Sequence, residues 1–139
     1  MIKAMIPIPD SQAAAAAEPD WALPALRTFF RIAAAWDLSI DEQMTLLGLP
    51  SRSTYFAWKK KGVERLPRDV VERLSYVFGI WKALQILLPD AAAADAWIRQ
   101  PNAAAPFGGR SALERMLSGN VADLYVVRQY LDAERGGWS

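Results

Sequence analysis

The chain has 139 residues, of which 53% are apolar and 22% charged, and its formal net charge is +1. This composition suits a globular protein with a sizeable core, built as one domain or two small ones. The sequence holds no histidine and no cysteine, which excludes the usual general base near neutral pH, thiol nucleophiles, Cys/His zinc sites and disulfides. Carboxylate chemistry stays open, but we expect no catalytic residue, no metal site, no cofactor and no enzymatic activity.

Nothing near the N-terminus indicates export or membrane insertion. Residues 1–9 contain one lysine and two prolines, Asp10 interrupts any apolar run, and no stretch approaches the roughly eighteen apolar residues of a membrane span. We therefore expect a cytoplasmic protein with no membrane partner. Residues 1–20 contain three prolines and the run Ala13–Ala17 without apolar periodicity, so we predict a flexible tail, with a partner-docking strand or helix as the alternative.

Two helices are predicted in the part of the chain that follows. Between Pro24 and Trp36, apolar residues recur at intervals of three and four, as on one face of a helix. Ser39 and Glu42 form a capping-box pattern, so a second helix is expected to begin near Ile40. Gly48 is expected to end it, because glycine takes the left-handed conformation just past a helix end.

A long helix is predicted between Leu66 and Pro89. Apolar residues there follow steps of four and three, namely Val70, Leu74, Val77, Trp81, Leu84 and Leu88. This heptad seam suits a helix that forms the hydrophobic spine of its domain. The alternative is that the same helix also supplies a homodimer interface. Further apolar residues widen the surface beyond a narrow coiled-coil stripe, which favours the spine.

After Pro89 the pattern predicts a short helix over Ala91–Gln100, a loop over Pro101–Arg110 and two further helices. The first of these begins with a second capping box, Ser111 and Glu114, and ends at Gly119; the second runs from Asn120 to Gly136. No stretch alternates with a period of two for long enough to indicate a sheet. The predicted fold is all-α, with a module over residues 21–89 and a smaller one over residues 90–139.

The segment Leu47–Trp58 resembles a helix-turn-helix, with Leu49, Tyr55 and Trp58 at its buried positions and Pro50 as an extra residue in the turn. The opposite face carries side chains that suit DNA, because arginine can pair with guanine, serine can bond most base edges and phenylalanine can cover a thymine methyl. Residues 51–75 hold seven basic and three acidic residues, a net charge of +4. A solvated helix end would also carry lysines, but here the basic patch coincides with the motif. The predicted DNA-binding residues are Ser51, Arg52, Ser53, Phe56, Lys59, Lys60, Lys61 and Arg65.

The C-terminal part carries a series of motifs: Trp97-Ile98, Pro101-Asn102, Phe107-Gly108-Gly109-Arg110-Ser111, Gly119 and Gly136-Gly137. Residues 95–138 with these motifs resemble the toxin-binding domain of Xre/MbcA/ParS antitoxins, and residues 21–88 resemble the Xre-type helix-turn-helix. The sequence departs from many relatives at Ala112, where they have proline. The resemblance implies the antitoxin of a type II toxin–antitoxin pair, whose partner is a RES-domain toxin that consumes NAD. It also implies that the antitoxin blocks the toxin's nucleotide pocket.

Helical spacing assigns Trp97, Leu113, Leu117, Leu124 and Leu131 to the core of this module. Tyr130, Arg135 and Trp138 are better candidates for the toxin interface, because they cluster at the end of the last helix and belong to residue types that dominate interface hot spots. The glycine pair also lets a loop pass closely over another surface, whereas a phosphate cradle is disfavoured because the Walker lysine-serine pair is missing. The predicted toxin-binding residues are Phe107, Gly109, Arg110, Tyr130, Arg135 and Trp138.

Two modules on one chain predict a coupled mechanism. The C-terminal module would occlude the toxin, while a homodimer of N-terminal modules would bind operator DNA at two half-sites and repress its own promoter. A free-standing transcriptional regulator whose C-terminal helices serve only oligomerisation is the first alternative. An antitoxin for another class of toxin is a second. An enzyme using Asp132 and Glu134 is disfavoured, because residues two apart on a helix point in different directions.

Overall fold

The computed structural model describes residues 19–136, where its regular elements are helices. In chain order they are α1 (Pro19–Ala35), α2 (Ile40–Leu47), α3 (Arg52–Lys61), α4 (Arg68–Leu87), α5 (Ala91–Ala96), a 3₁₀ helix (Trp97–Arg99), α6 (Ala112–Met116) and α7 (Val121–Glu134). Extended pairing in this part of the chain is limited to an isolated bridge between Pro101 and Ser111. The predicted all-α class is therefore confirmed. None of the described helices is long and apolar enough to cross a membrane.

Helix α1 begins at Pro19, five residues before the predicted start at Pro24, which lies inside the helix. The prediction used proline as a helix start, since its missing N–H is tolerated in the first turn. However, Trp21 and Ala22 are also buried, with exposed fractions of 7% and 2%. Packing of these two side chains stabilises an additional N-terminal turn. Residues 1–18 of the predicted tail lie outside the described residues.

Helix α2 begins and ends where its capping pattern predicts, and α3 is capped as well. Ser39 Oγ accepts from the Glu42 N–H at 3.0 Å, and Glu42 Oε1 accepts from the Ser39 N–H at 2.9 Å, which completes the predicted capping box. Gly48 ends α2 in the left-handed conformation, with φ +71°. At the start of α3, Ser51 Oγ accepts from the Thr54 N–H at 3.2 Å. A tight turn between two capped helices results.

Helix α4 turns most of its heptad seam towards the interior of this chain. Val70, Leu74, Val77 and Leu84 are at most 3% exposed, and Trp81 and Leu88 are half-buried. This burial is what the spine hypothesis predicts. The described chain divides into two compact units between Ser75 and Tyr76, inside α4 and before the domain boundary predicted at Pro89.

The second unit has two more capped helices. The segment predicted as one helix up to Gln100 is α5 followed by the 3₁₀ helix, and Asp90 caps α5 by accepting from the Ala93 N–H at 3.0 Å. Ser111 and Glu114 form the second predicted capping box, with both hydrogen bonds at 3.1 Å. Helix α6 ends at Met116, earlier than predicted from the glycine at position 119, and α7 follows after one more turn.

Candidate functional site

A buried polar pair joins the two helices of the helix-turn-helix. The Tyr55 hydroxyl donates to Gln43 Oε1 at 2.7 Å, and Gln43 Nε2 donates to the Leu38 carbonyl at 3.0 Å. Tyr55 is 1% exposed and Gln43 is 7% exposed, so these bonds replace the water that both groups lose on folding. The pair fixes α3 against α2. Leu49 and Trp58, which the motif also predicted to be buried, are half-buried.

An aromatic cluster around the buried ring of Tyr55 holds one of the predicted DNA-binding lysines. The Tyr55 ring meets Phe30 of α1 edge-on, with centroids 5.8 Å apart, and meets Phe56 at 5.2 Å. Lys59 Nζ lies 5.2 Å from the Phe30 centroid and 5.8 Å from the Tyr55 centroid. Cation–π attraction at these distances positions the ammonium group while the residue stays exposed.

The outer side of α3 presents most of the other predicted DNA-binding residues. Arg52, Ser53, Phe56, Lys60 and Lys61 are exposed on the helix, and Arg65 is exposed in the connection to α4. Phe56 is 47% exposed, although it is a large apolar ring. Ser51 is half-buried, and its hydroxyl is engaged as the N-cap of α3. The structure thus brings an arginine, a serine and a phenylalanine to the first turns of one helix, with lysines at its end.

Asp41 is a neighbour of this surface that the sequence analysis missed. Arg52 Nη1 donates to Asp41 Oδ1 at 2.7 Å, and both side chains are more than half exposed, at 55% and 80%. The Arg52 guanidinium carbon also lies 5.8 Å from the centroid of the Phe56 ring. An acidic residue in the first turn of α2 is accounted for by the helix dipole alone. The sequence therefore carried no signal for the pairing, which joins residues eleven apart.

The arrangement on α3 can perform both parts of DNA recognition. Arginine and phenylalanine in the first turns suit base edges in the major groove, which distinguish the four base pairs. Lysines at the end of the helix suit the phosphate backbone, which supplies affinity and orientation but little sequence information. The net charge of +4 over residues 51–75, in a chain of net charge +1, concentrates positive potential at this motif.

In the second unit, residues 100–111 form a hydrogen-bonded loop. Asn102 Oδ1 accepts from the Ala104 N–H at 2.8 Å, so the asparagine side chain bonds the nearby backbone and holds the turn. The Asn102 backbone also pairs with Arg110 at 3.0 Å and with Gly109 at 2.8 Å. Gly109 has φ +90°, a backbone conformation that would be strained for a residue with an L side chain. The loop therefore presents Gly109 and Arg110 as exposed residues at a fixed position.

Three aromatic rings pack together beside this loop. Phe107 and Tyr130 meet edge-on with centroids 5.1 Å apart, Trp97 meets Phe107 at 6.0 Å, and Trp97 stacks on Tyr130 at 6.3 Å. Phe107 is 5% exposed, so its side chain belongs to the core of the unit. Trp97 and Tyr130 are half-buried. Of the two aromatic residues in this cluster predicted to bind toxin, Tyr130 retains accessible surface.

The two stacked rings also border a surface pocket of about 200 Å³ in the second unit. Leucines of α4 and α7 and the side chain of Glu134 complete its walls.

Of the residues assigned to the core, Leu113, Leu124 and Leu131 are buried, at most 5% exposed. Leu117 is half-buried.

The remaining predicted toxin-binding residues lie beyond the aromatic cluster. Arg135 is exposed just after α7, and its Nη1 lies 3.7 Å from Asp132 Oδ1. Such a partly exposed ion pair at this distance contributes little to stability. Trp138 lies outside the described residues.

A polar network connects α6, the turn after it and the start of α7. Ser118 Oγ donates to Asp123 Oδ2 at 2.6 Å, and Arg115 Nε donates to Asp123 Oδ1 at 2.9 Å. The bond from Ser118 is the main reason that the pKa of Asp123 is lowered from its ordinary value; partial burial opposes it and Arg115 adds to it. Arg115 Nη1 also donates to the Pro106 carbonyl at 2.6 Å. The network ties the loop that carries Phe107 to α7.

Comparisons with known proteins identify two domains in the chain. Residues 22–79 match the antitoxin Xre-like helix-turn-helix domain, and residues 83–137 match the antitoxin Xre/MbcA/ParS C-terminal toxin-binding domain. The chain belongs to the Xre-type antitoxin family: it is an antitoxin with a DNA-binding and a toxin-binding domain. It is similar to the uncharacterized protein y4oB of Sinorhizobium fredii, with 59% identity over 112 residues that cover 81% of this chain and 84% of that protein. No solved structure matches the chain significantly.

Proposed function

We propose that this antitoxin neutralises a RES-domain toxin that consumes NAD, and that it represses its own operon through α3. The observation that carries the proposal is the presence, on one chain, of a toxin-binding domain and of a helix-turn-helix with an exposed basic face. The identity of the toxin rests on the family resemblance. The antitoxin acts by binding alone, in the cytoplasm, without a cofactor or catalytic group of its own.

The proposed toxin-binding residues include Gly109, Arg110, Tyr130 and Arg135, together with Trp138, which lies outside the described residues. The first four offer an exposed glycine loop, two exposed arginines and a half-buried tyrosine. Phe107 supports this surface from the core of the unit, because its buried ring contacts Tyr130. Covering the mouth of the toxin's nucleotide pocket with this surface would exclude NAD. Arginine and tyrosine suit such a role, because each combines a large contact area with directed polar groups.

Co-expression with the neighbouring gene product tests the toxin assignment. We expect stable co-purification and loss of NAD consumption when the antitoxin is present. Arg135→Ala and Arg110→Ala should weaken inhibition, whereas Arg99→Ala, which changes an exposed arginine of the same unit outside the proposed surface, should not. A complex that forms while NAD is left intact would indicate a toxin of another class. No association at all, with promoter binding retained, would favour the free-standing regulator.

For DNA, we propose contacts from Ser51, Arg52, Ser53 and Phe56 to the base edges, and from Lys59, Lys60, Lys61 and Arg65 to phosphates. A homodimer would place two α3 helices on half-sites about 34 Å apart, or a multiple of that spacing. Lys60→Ala should weaken binding to all sequences and reduce the salt slope by about 1, whereas Arg52→Ala should cost about 1–3 kcal/mol at one base pair. Equal losses from Arg52→Ala on operator and random DNA would contradict the base contact.

A further inference from the structure

The Asp41–Arg52 ion pair stands at the surface proposed to read DNA. Its oxygen–nitrogen distance is 2.7 Å, and its two side chains are 80% and 55% exposed respectively. Exposed pairs of this kind contribute little to folding stability, because water screens the attraction and two flexible side chains lose freedom. The pairing with Arg52 therefore adds little to the stability that Asp41 gains from the helix dipole at the start of α2.

The pair constrains the guanidinium group of Arg52 in a defined orientation. Asp41 engages Nη1, and the guanidinium carbon lies 5.8 Å from the Phe56 centroid, so the group is held by an anion and by a ring. A guanidinium has five N–H donors in one plane. One of them serves Asp41, and the others stay available to the two acceptors, O6 and N7, that guanine presents in the major groove.

Asp41 also acts on the DNA backbone through its charge. A carboxylate beside Arg52 repels phosphates and competes with them for the guanidinium group, which disfavours the sequence-independent contacts that any duplex offers. In contact with guanine, by contrast, Arg52 can keep its bond to Asp41. The same residue thus lowers affinity for random DNA and reduces the entropy that Arg52 loses when it meets a base edge.

We propose that Asp41 is a positioning residue that sets how strongly the antitoxin discriminates its operator from other DNA. The inference rests on the proposed DNA-binding role of α3 and assigns to α2 a part in specificity. Replacing Asp41 by asparagine removes the charge but keeps the size and a hydrogen-bonding oxygen. Arg52 is then released to neighbouring phosphates. The affinity for random DNA rises, and the ratio of specific to non-specific affinity falls about three- to tenfold.

The test uses the full-length chain and two duplexes. One is the tightest duplex that the wild-type chain selects from a random pool, and the other is a scrambled duplex of the same composition. Dissociation constants are measured on both at several salt concentrations for the wild type and for Asp41→Asn. Glu64→Gln is the matched control, because it removes one exposed negative charge of the same unit from the connection between α3 and α4. Asp41→Asn is also measured in an Arg52→Ala background.

Each outcome has a distinct meaning. We expect Asp41→Asn alone to lower the ratio of specific to non-specific affinity. Its salt slope on the scrambled duplex should be steeper by about 0.9, for one new phosphate contact. In the Arg52→Ala background, Asp41→Asn should leave the affinity ratio unchanged. Equal gains in affinity on both duplexes, like those expected for Glu64→Gln, would mean that Asp41 acts only as a negative charge near DNA. That result would overturn the proposal. Equal losses with a lower unfolding midpoint would make its role structural, which also overturns it. If the wild type selects no sequence, the proposed DNA-binding role itself fails.

Discussion

Removing one hydroxyl group tests whether the buried bond between α2 and α3 holds the helix-turn-helix together. Tyr55→Phe keeps the ring and its contacts but deletes the donor that lies 2.7 Å from Gln43 Oε1. That oxygen then stays buried, in a side chain that is 7% exposed, without its Tyr55 partner. An unsatisfied buried acceptor costs about 1–3 kcal/mol, more than the net value of an average hydrogen bond. We expect the free energy of unfolding to fall by that amount.

Urea unfolding of the full-length chain, followed by far-ultraviolet circular dichroism, measures the change. Tyr125→Phe is the matched control, because it removes the same hydroxyl from a ring that is 46% exposed, and it should stay within about 0.5 kcal/mol of wild type. Gln43→Met and the double variant complete a cycle. We expect the double variant to be destabilised by less than the two single changes added together, since each single change leaves the other partner unpaired.

Two results would refute this reasoning. Tyr55→Phe with the same stability as Tyr125→Phe would mean that the hydroxyl makes no net contribution. Strictly additive effects in the cycle would mean that Gln43 and Tyr55 do not act on one another. In the expected case, Tyr55→Phe also weakens binding to the selected duplex, because α3 loses a bond that fixes its orientation on α2.

Three further predictions concern other parts of the chain. Phe107→Ala should lower the free energy of unfolding by about 3–5 kcal/mol in the same urea assay, because it leaves a cavity in place of a ring that is only 5% exposed. Gly48→Ala should cost about 1–2 kcal/mol for the left-handed conformation, and more if Arg73, whose Nε lies 2.7 Å from the new Cβ, does not move. Asp123, whose pKa is lowered chiefly by Ser118, stabilises the fold above the ordinary carboxyl pKa and loses this effect as pH falls through its folded-state pKa. Asp123→Asn should therefore flatten the acidic side of the stability profile, and a profile as steep as that of the wild type would contradict the assignment.

The sequence was most informative where the structure depends on contacts within one turn. Both capping boxes, at Ser39 and Ser111, and the left-handed end of α2 at Gly48 were predicted and are present. Each involves a residue type with one strong local preference, such as a hydroxyl for a helix N-terminus or glycine for a positive φ. The turn at Asn102 depends on an equally local contact, because the asparagine side chain bonds the backbone two residues further on.

Prediction was weaker where packing between distant residues decides the outcome. The start of α1 was placed at Pro24, since local rules could not include the burial of Trp21. Phe107 was predicted as a toxin contact, but its ring is buried and meets Trp97 and Tyr130 edge-on. Residues of this cluster come from three segments of the chain, and no periodic pattern connects them.

The same distinction applies to the proposed DNA-reading surface. Spacing on a helix identified Arg52 and Phe56, because both lie on the outer side of α3. The residues that hold this side of α3 in place come from α2. Asp41 bonds Arg52, eleven positions away, and Gln43 bonds Tyr55, twelve positions away. Helical period relates only residues three or four apart. Specificity in this module should therefore respond to changes in α2 as well as α3. The Asp41→Asn and Tyr55→Phe variants separate the two causes: the first alters discrimination with a loss of stability of at most about 1 kcal/mol, and the second lowers stability and binding together.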